Sequence, residues 1–205
     1  THLTYPQDYG STFPYADMVH RNIANPIVKK EYARNGEYIC IKTPYTQSSD
    51  NVYLPDRLVI KRDSSDTGDT RATYLYDDYG RLRQETRDGK QSIVYLYGYR
   101  NRYVVAQIEN ATYEEVETKA GRNNLEKMAS EEILQTHYKN LLDNLRHTLP
   151  ASCITTYTYK PLTGIDSITD AFGLTTYFDY DDLGRLTKTY FINSNKIEVV
   201  ESHDY

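Results

Sequence analysis

The stretches TYLYDDYGRLRQET, residues 73–86, and YFDYDDLGRLTKTY, residues 177–190, carry the same motif, Tyr-Asp-Asp-x-Gly-Arg-Leu. Each copy lies between runs of residues that favour β-strands, and a motif repeated within one chain is typical of repeat architectures. We therefore expect a fold built from repeats of this unit. The residues that define the two copies are Tyr76, Asp77, Gly80, Arg81 and Leu82, and Tyr180, Asp181, Gly184, Arg185 and Leu186.

The motif predicts a tight turn between two antiparallel strands. An aspartate at the first turn position can accept a hydrogen bond from the backbone N–H two residues further on. The glycine supplies the left-handed backbone that a type I turn followed by a bulge requires. We therefore expect a positive φ at Gly80 and Gly184, with Asp77 and Asp181 accepting hydrogen bonds from N–H groups of their own turns.

Further turn signals occur along the chain. Residues 170–173 repeat the turn in a looser form, with Asp170 and Gly173 in its key positions. An Asn-Gly pair at residues 35–36 and an Asp-Gly pair at residues 88–89 predict hairpin turns. Around the first motif copy, apolar or aromatic residues alternate with polar ones, as in strands that bury one face.

Residues 123–148 break this pattern and predict a helical insertion. Apolar residues recur there at three- and four-residue spacing until Pro150, which is typical of an amphipathic helix. Ser130 is predicted to cap this helix, with two glutamates in the first turn. An isolated helix of this length is marginal in water, so we expect its apolar side to pack on a sheet face. The residues expected on that side are Leu134, Tyr138, Leu141, Leu145 and Leu149.

The motif copies resemble YD repeats, the signature of RHS-repeat proteins, a family that also includes the teneurins. Three stretches carry the resemblance: residues 74–86, 95–113 and 151–190. In this family the repeats wind into long β-sheet shells, and in several bacterial members the shell encloses a toxic C-terminal domain. The resemblance therefore implies a secreted or cell-surface bacterial protein, whose partner is the rest of its parent polypeptide.

From motif and resemblance together we expect a mainly β protein: an antiparallel YD-repeat sheet, a section of a β-shell, with one helical insertion. Four segments are predicted: an N-terminal β-hairpin region (1–62), a YD-repeat β unit (63–113), the helical insertion (114–150) and a second YD-repeat β unit (151–205). The chain starts without an initiator methionine and stops at what resembles the opening of another strand. We therefore expect it to be a fragment of a larger chain.

Composition restricts the classes of partner. A net charge of −5 and a pI near 5.6 argue against binding to nucleic acid or an anionic membrane, because both need a basic surface. The sequence contains no hydrophobic run long enough to insert into a membrane. Cys40 and Cys153 are the two cysteines, and the sequence leaves open whether they pair.

The residues that suggest catalysis or metal binding have structural explanations. The five histidines lack the spacing of zinc ligands. His147 and Cys153 would suit a base and a thiol nucleophile, but Cys153 begins a predicted strand, where packing accounts for it. Residues 170–174 are similar to a string in the self-cleaving region of some RHS toxins, yet a full repeat follows them, so we interpret them as a turn. We expect no catalytic residue, cofactor or metal.

Twenty-two tyrosines, with four phenylalanines and no tryptophan, leave two functions open. If the rings pack between strands, the segment is structural. If several coplanar rings face solvent, they form a platform for cell-surface carbohydrate, which is the alternative function. A section of a continuous sheet would also expose strand edges, so we expect self-association through them.

Overall fold

The structure, a computed structural model, describes residues 1–32, 38–48, 51–63, 67–193 and 196–203. The turn predicted at residues 35–36 lies outside these ranges. The chain divides into two compact units, Thr1–Ser92 and Ile93–Tyr205. The four segments predicted from motifs stay a prediction.

The first unit contains a six-stranded antiparallel sheet in the order β1-β2-β3-β6-β7-β8, and β4 and β5 pair separately. One short helix and a 3-10 turn, Pro6–Tyr9, precede β2. Neighbouring strands of both sheets pair antiparallel. The elements are β1 His2–Thr4, α1 Tyr15–His20, β2 Val28–Tyr32, β3 Tyr38–Lys42, β4 Tyr45–Gln47, β5 Tyr53–Pro55, β6 Arg57–Lys61, β7 Asp69–Tyr76 and β8 Leu82–Arg87.

A small core holds α1 against this sheet. Met18 on the helix and Ile27 beside β2 are almost completely buried. Tyr53 completes the contact: its ring belongs to the core, while its hydroxyl donates to the Asp17 carboxylate on α1. A tyrosine used in this way buries an apolar ring without leaving its hydroxyl unpaired.

The second unit contains a sheet of seven consecutive antiparallel strands, with three helices inserted between the second and the third. Its first strand begins at the end of the first unit. The elements are β9 Gln91–Gly98, β10 Tyr103–Glu109, α2 Tyr113–Ala120, α3 Arg122–Ser130, α4 Thr136–Thr148, β11 Cys153–Lys160, β12 Gly164–Thr169, β13 Thr175–Tyr180, β14 Leu186–Asn193 and β15 Lys196–Ser202.

The helical insertion differs from the sequence prediction at Ser130. This residue does not cap a helix; it ends α3, and its hydroxyl donates to the Lys127 carbonyl at 2.9 Å. The cause is a contact distant in sequence. The turn after β9 donates N–H groups from Arg100 and Asn101 to the carbonyls of Glu131 and Ala129, at 2.6 and 2.7 Å. Glu131 is thereby held extended, and α4 starts only at Thr136.

The apolar side of α4 packs into the main core of the second unit, as expected. Tyr138 and Leu145 on α4 and Leu134 before it are buried. Leu142 is buried in place of Leu141, which is only partly buried, as is Leu149 at the end of the helix. The sheet side of this core comes from alternate residues of β9, from β10, where a register irregularity buries two consecutive residues, and from Ile154 on β11. The sheet residues of this core are Val94, Leu96, Val105, Ala106, Ile108 and Ile154.

Among the described residues, none of strands β12–β15 belongs to a core cluster of this kind. Along β13 every residue is half-buried, and along β15 every residue is exposed. Stacked pairs such as Tyr177 and Tyr190, whose ring centroids lie 5.4 Å apart, take the place of a buried layer. The protein is therefore mainly β with one helical insertion, and the predicted fold class is confirmed.

Leu142→Ala is expected to lower the free energy of unfolding by about 2–5 kcal/mol, because it removes a fully buried side chain from a packed core. Leu141→Ala, on the same helix but only half-buried, is the matched control and should cost clearly less. Urea denaturation of both variants measures the difference. Equal midpoints for the two variants would contradict the assignment of Leu142 to the core.

Candidate functional site

The turn of the first motif is built around the carboxylate of Asp77. Its Oδ1 atom accepts the N–H groups of Tyr79 and Arg81, both at 2.9 Å, and its Oδ2 atom accepts Arg81 Nε at 2.7 Å. Gly80 has a φ of +77° and donates its N–H to the Asp77 carbonyl at 3.0 Å. The β7–β8 register shifts by one residue next to the turn, as in a bulge.

The second motif repeats this geometry. Asp181 Oδ1 accepts the N–H groups of Leu183 and Arg185 at 2.9 and 2.8 Å, Arg185 Nε reaches Oδ2 at 2.7 Å, and Gly184 has a φ of +75°. The Arg185 N–H, the Arg185 side chain and the Leu183 N–H lower the pKa of Asp181 below its ordinary 3.8. The ionised Asp181 carboxylate therefore stabilises the fold fully at a pH above 3.8. This stabilisation is lost as the pH falls through the lowered pKa.

The third turn has the same backbone hydrogen bonds, but the arginine side chain that binds it comes from a helix and not from the turn itself. Asp170 Oδ1 accepts the N–H groups of Phe172 and Leu174 at 2.9 Å, and Gly173 has a φ of +85°. Leu174 occupies the position that arginine takes in the two motifs. A guanidinium comes instead from α4, where Arg146 donates to the Asp170 carbonyl at 2.6 Å.

Arg146 is the residue that sequence reasoning missed. Its side chain is 13% exposed. Besides Asp170 it donates to the Ile154 carbonyl, to Thr156 Oγ1 at 3.0 Å and to the Thr169 carbonyl at 3.2 Å. One guanidinium thus fastens α4 to the start of β11 and to the end of β12. Its Nε lies 3.6 Å from the Asp143 carboxylate, too far for a hydrogen bond.

Tyrosines join neighbouring strands in the second unit. Tyr99, Tyr103 and Tyr159 form a ring cluster with centroids 4.6–5.7 Å apart. The Tyr159 hydroxyl donates to the Val104 carbonyl at 2.8 Å, and burial raises the pKa of Tyr159 to about 12. The Tyr99 hydroxyl accepts the Tyr159 N–H at 2.9 Å, so these two side chains tie β11 to β10 and to the turn after β9. Of the tyrosines that the structure describes, only Tyr32 and Tyr79 are exposed.

The residues considered for catalysis are not brought into a catalytic arrangement in the described part of the chain. Cys40 and Cys153 are free thiols, the first buried and the second exposed. Cys153 does begin β11, but its exposure means that packing does not account for it. No hydrogen bond or ion pair joins His147 to Cys153 among the described residues, and no three histidines, cysteines or carboxylates there are grouped to hold a metal. No described helix is long and apolar enough to cross a membrane.

Comparison with solved structures shows the fold. The chain is similar to TcdB2-TccC3 without its hypervariable C-terminal region, to TcdB2-TccC3-Cdc42, and to the Photorhabdus luminescens Tc holotoxin pore with a mutation in TccC3, at 14%, 11% and 14% identity. Each TM-score is 0.52, and each match covers 93% of this chain but 10% of the other. No protein-family model and no curated protein matches. The fold is RHS-like, so the predicted resemblance is confirmed at that level.

Asp77→Ala is expected to lower the free energy of unfolding by about 1–3 kcal/mol, because the two turn N–H groups lose their acceptor and Arg81 loses its ion pair. Asp78→Ala is the control, since the exposed side chain beside it should contribute within about 0.5 kcal/mol. Thermal and urea unfolding measure both. A loss at Asp78 as large as that at Asp77 would show that the carboxylate does not fix the turn.

Arg146→Ala is expected to cost about 2–3 kcal/mol, because the carbonyls of Ile154 and Asp170 lose a charged donor. Arg122→Ala removes an exposed arginine that pairs with Glu117 at 3.0 Å, and should cost less than about 1 kcal/mol. Amide hydrogen exchange adds a second measurement: protection in α4 should fall in the Arg146 variant only. Unchanged protection there would mean that the guanidinium does not hold the helix.

Proposed function

We propose that the chain is a non-enzymatic, structural segment in the wall of an RHS-type shell, within a secreted or cell-surface bacterial protein. The observation that carries the proposal is the extent of the fold match, which covers 93% of this chain and a tenth of the matched chains. A segment of that kind contributes sheet to a larger enclosure and needs no active site of its own. Its partner is then the rest of the parent polypeptide.

Encapsulation or delivery of a toxin is the role that we favour for the parent protein, with adhesion as the other. The matched structures support this choice by analogy, because one is a Tc holotoxin pore and another is described by the removal of a hypervariable C-terminal region. The local architecture is compatible with wall material. Strands β12, β13 and β14 join through short turns at residues 170–174 and 181–185, and β12–β15 bury little on either face.

The carbohydrate-binding alternative depends on exposed, coplanar rings. The described tyrosines offer little support for it, since the two exposed ones lie on different elements, Tyr32 at the end of β2 and Tyr79 in a turn. Stacked pairs such as Tyr177 and Tyr190 are half-buried and make cross-strand contacts. These contacts are those of a packed sheet, so the structural role is preferred.

The proposal is tested by an activity screen together with a measurement of assembly. The chain should turn over no peptide, ester, phosphate or glycoside substrate, and turnover that one substitution at His147, Cys153 or Asp170 abolishes would overturn the structural role. Light scattering should show concentration-dependent association, because β15 is an edge strand with exposed apolar residues. Val199→Lys should weaken this association, while Leu162→Lys, at an exposed turn tip, should not. A strictly monomeric chain would refute the association through strand edges.

A further inference from the structure

A groove of about 500 Å³ in the first unit crosses three neighbouring strands, β3, β6 and β7. Its lining residues lie in one continuous patch of the sheet, because Val59 on β6 pairs with Lys42 on β3 and with Thr70 on β7. The volume is within the range of small-molecule sites. The lining residues are Lys42, Pro44, Arg57, Val59, Lys61, Thr67, Gly68, Thr70 and Thr73.

The charge of this lining is of one sign. Three of the described lining residues are cationic, Lys42, Arg57 and Lys61, and none is acidic. Arg57 is partly neutralised by Asp56, with Nη1 and Oδ2 2.6 Å apart. Within the part of the chain that the structure describes, no carboxylate pairs with Lys42 or Lys61. A groove lined by one sign of charge concentrates ions of the other sign.

The walls of the groove position these cations. Gly68 has a φ of +92°, and a methyl group added there would lie 2.6 Å from Val59 Cγ1 and 2.9 Å from Lys61 Cγ. The backbone of Gly68 therefore lies directly against β6 and against the aliphatic stem of Lys61. Threonines 67, 70 and 73 add hydroxyl groups, which donate hydrogen bonds to oxygen acceptors.

We propose that this groove binds a small oxyanion with two or more negative charges, such as a phosphorylated, sulfated or polycarboxylate compound. Lysine ammonium groups act as point charges for such ligands, and a guanidinium adds a planar pair of donors. The chain as a whole carries a charge of −5, so the basic lining is a local departure from its average. Repulsion from distant acidic groups is screened beyond about 8 Å at physiological salt.

The test is a titration of the whole chain with sodium pyrophosphate, followed by ¹H–¹⁵N NMR at constant ionic strength. Saturable shifts are expected at Lys42, Lys61 and Thr70. Lys42→Gln and Lys61→Gln should each weaken binding about tenfold, as loss of one charge-assisted hydrogen bond does. Lys61→Arg should retain it. Lys90→Gln, which removes an exposed lysine of the same unit, should leave affinity unchanged.

Parallel titrations with sulfate and citrate identify which oxyanion chemistry the groove prefers. Shifts that do not saturate, or that sodium chloride alone reproduces, would overturn the proposal. So would an unchanged affinity in both glutamine variants. If Lys42→Gln disturbs the fold, which its spectrum outside the groove reports, Lys61→Gln and Lys61→Arg decide the outcome. This result is independent of the proposed wall function, which the activity and assembly measurements test.

Discussion

An aspartate carboxylate that accepts two backbone N–H groups is the interaction on which the hairpins β7–β8, β12–β13 and β13–β14 depend. It occurs at Asp77, Asp170 and Asp181 with nearly the same distances, 2.8–2.9 Å. Because all the partners lie within four residues, the chain reverses direction without help from any distant layer. Consecutive strands can therefore pair even where little apolar surface is buried, as in β12–β14.

A sheet whose strands are joined by such turns must still bury apolar side chains somewhere. The second unit does so under its helices, where the core residues Leu142 and Leu145 meet Ile154 of β11. Past β11, tyrosine rings cover part of the sheet, and the Tyr180 hydroxyl donates to the Ile165 carbonyl at 2.8 Å. This division explains how a chain with a mean hydropathy of −0.73 can form so many strands.

The sequence was informative where interactions are local. The turn glycines have the positive φ that the motif predicts, and the buried positions of α4 follow its spacing except at Leu141 and Leu142. The start of α2 was not predicted, although its signal is local, since Thr112 and Glu115 form a capping box. The prediction at Ser130 was wrong because a turn 30 residues away binds the end of α3. No local pattern marks the basic groove, whose residues meet only when β3, β6 and β7 pair.

Arg146 shows how the helical insertion is joined to the sheet. In two turns the arginine after the glycine, Arg81 or Arg185, bonds to the turn aspartate of its own motif. The third turn has Leu174 at that position, and Arg146 of α4 supplies a guanidinium to the carbonyl of Asp170 instead. The same group also holds the first residues of β11. The helix thus provides a contact that the repeat lacks, and one side chain links the third turn to the docking of the insertion.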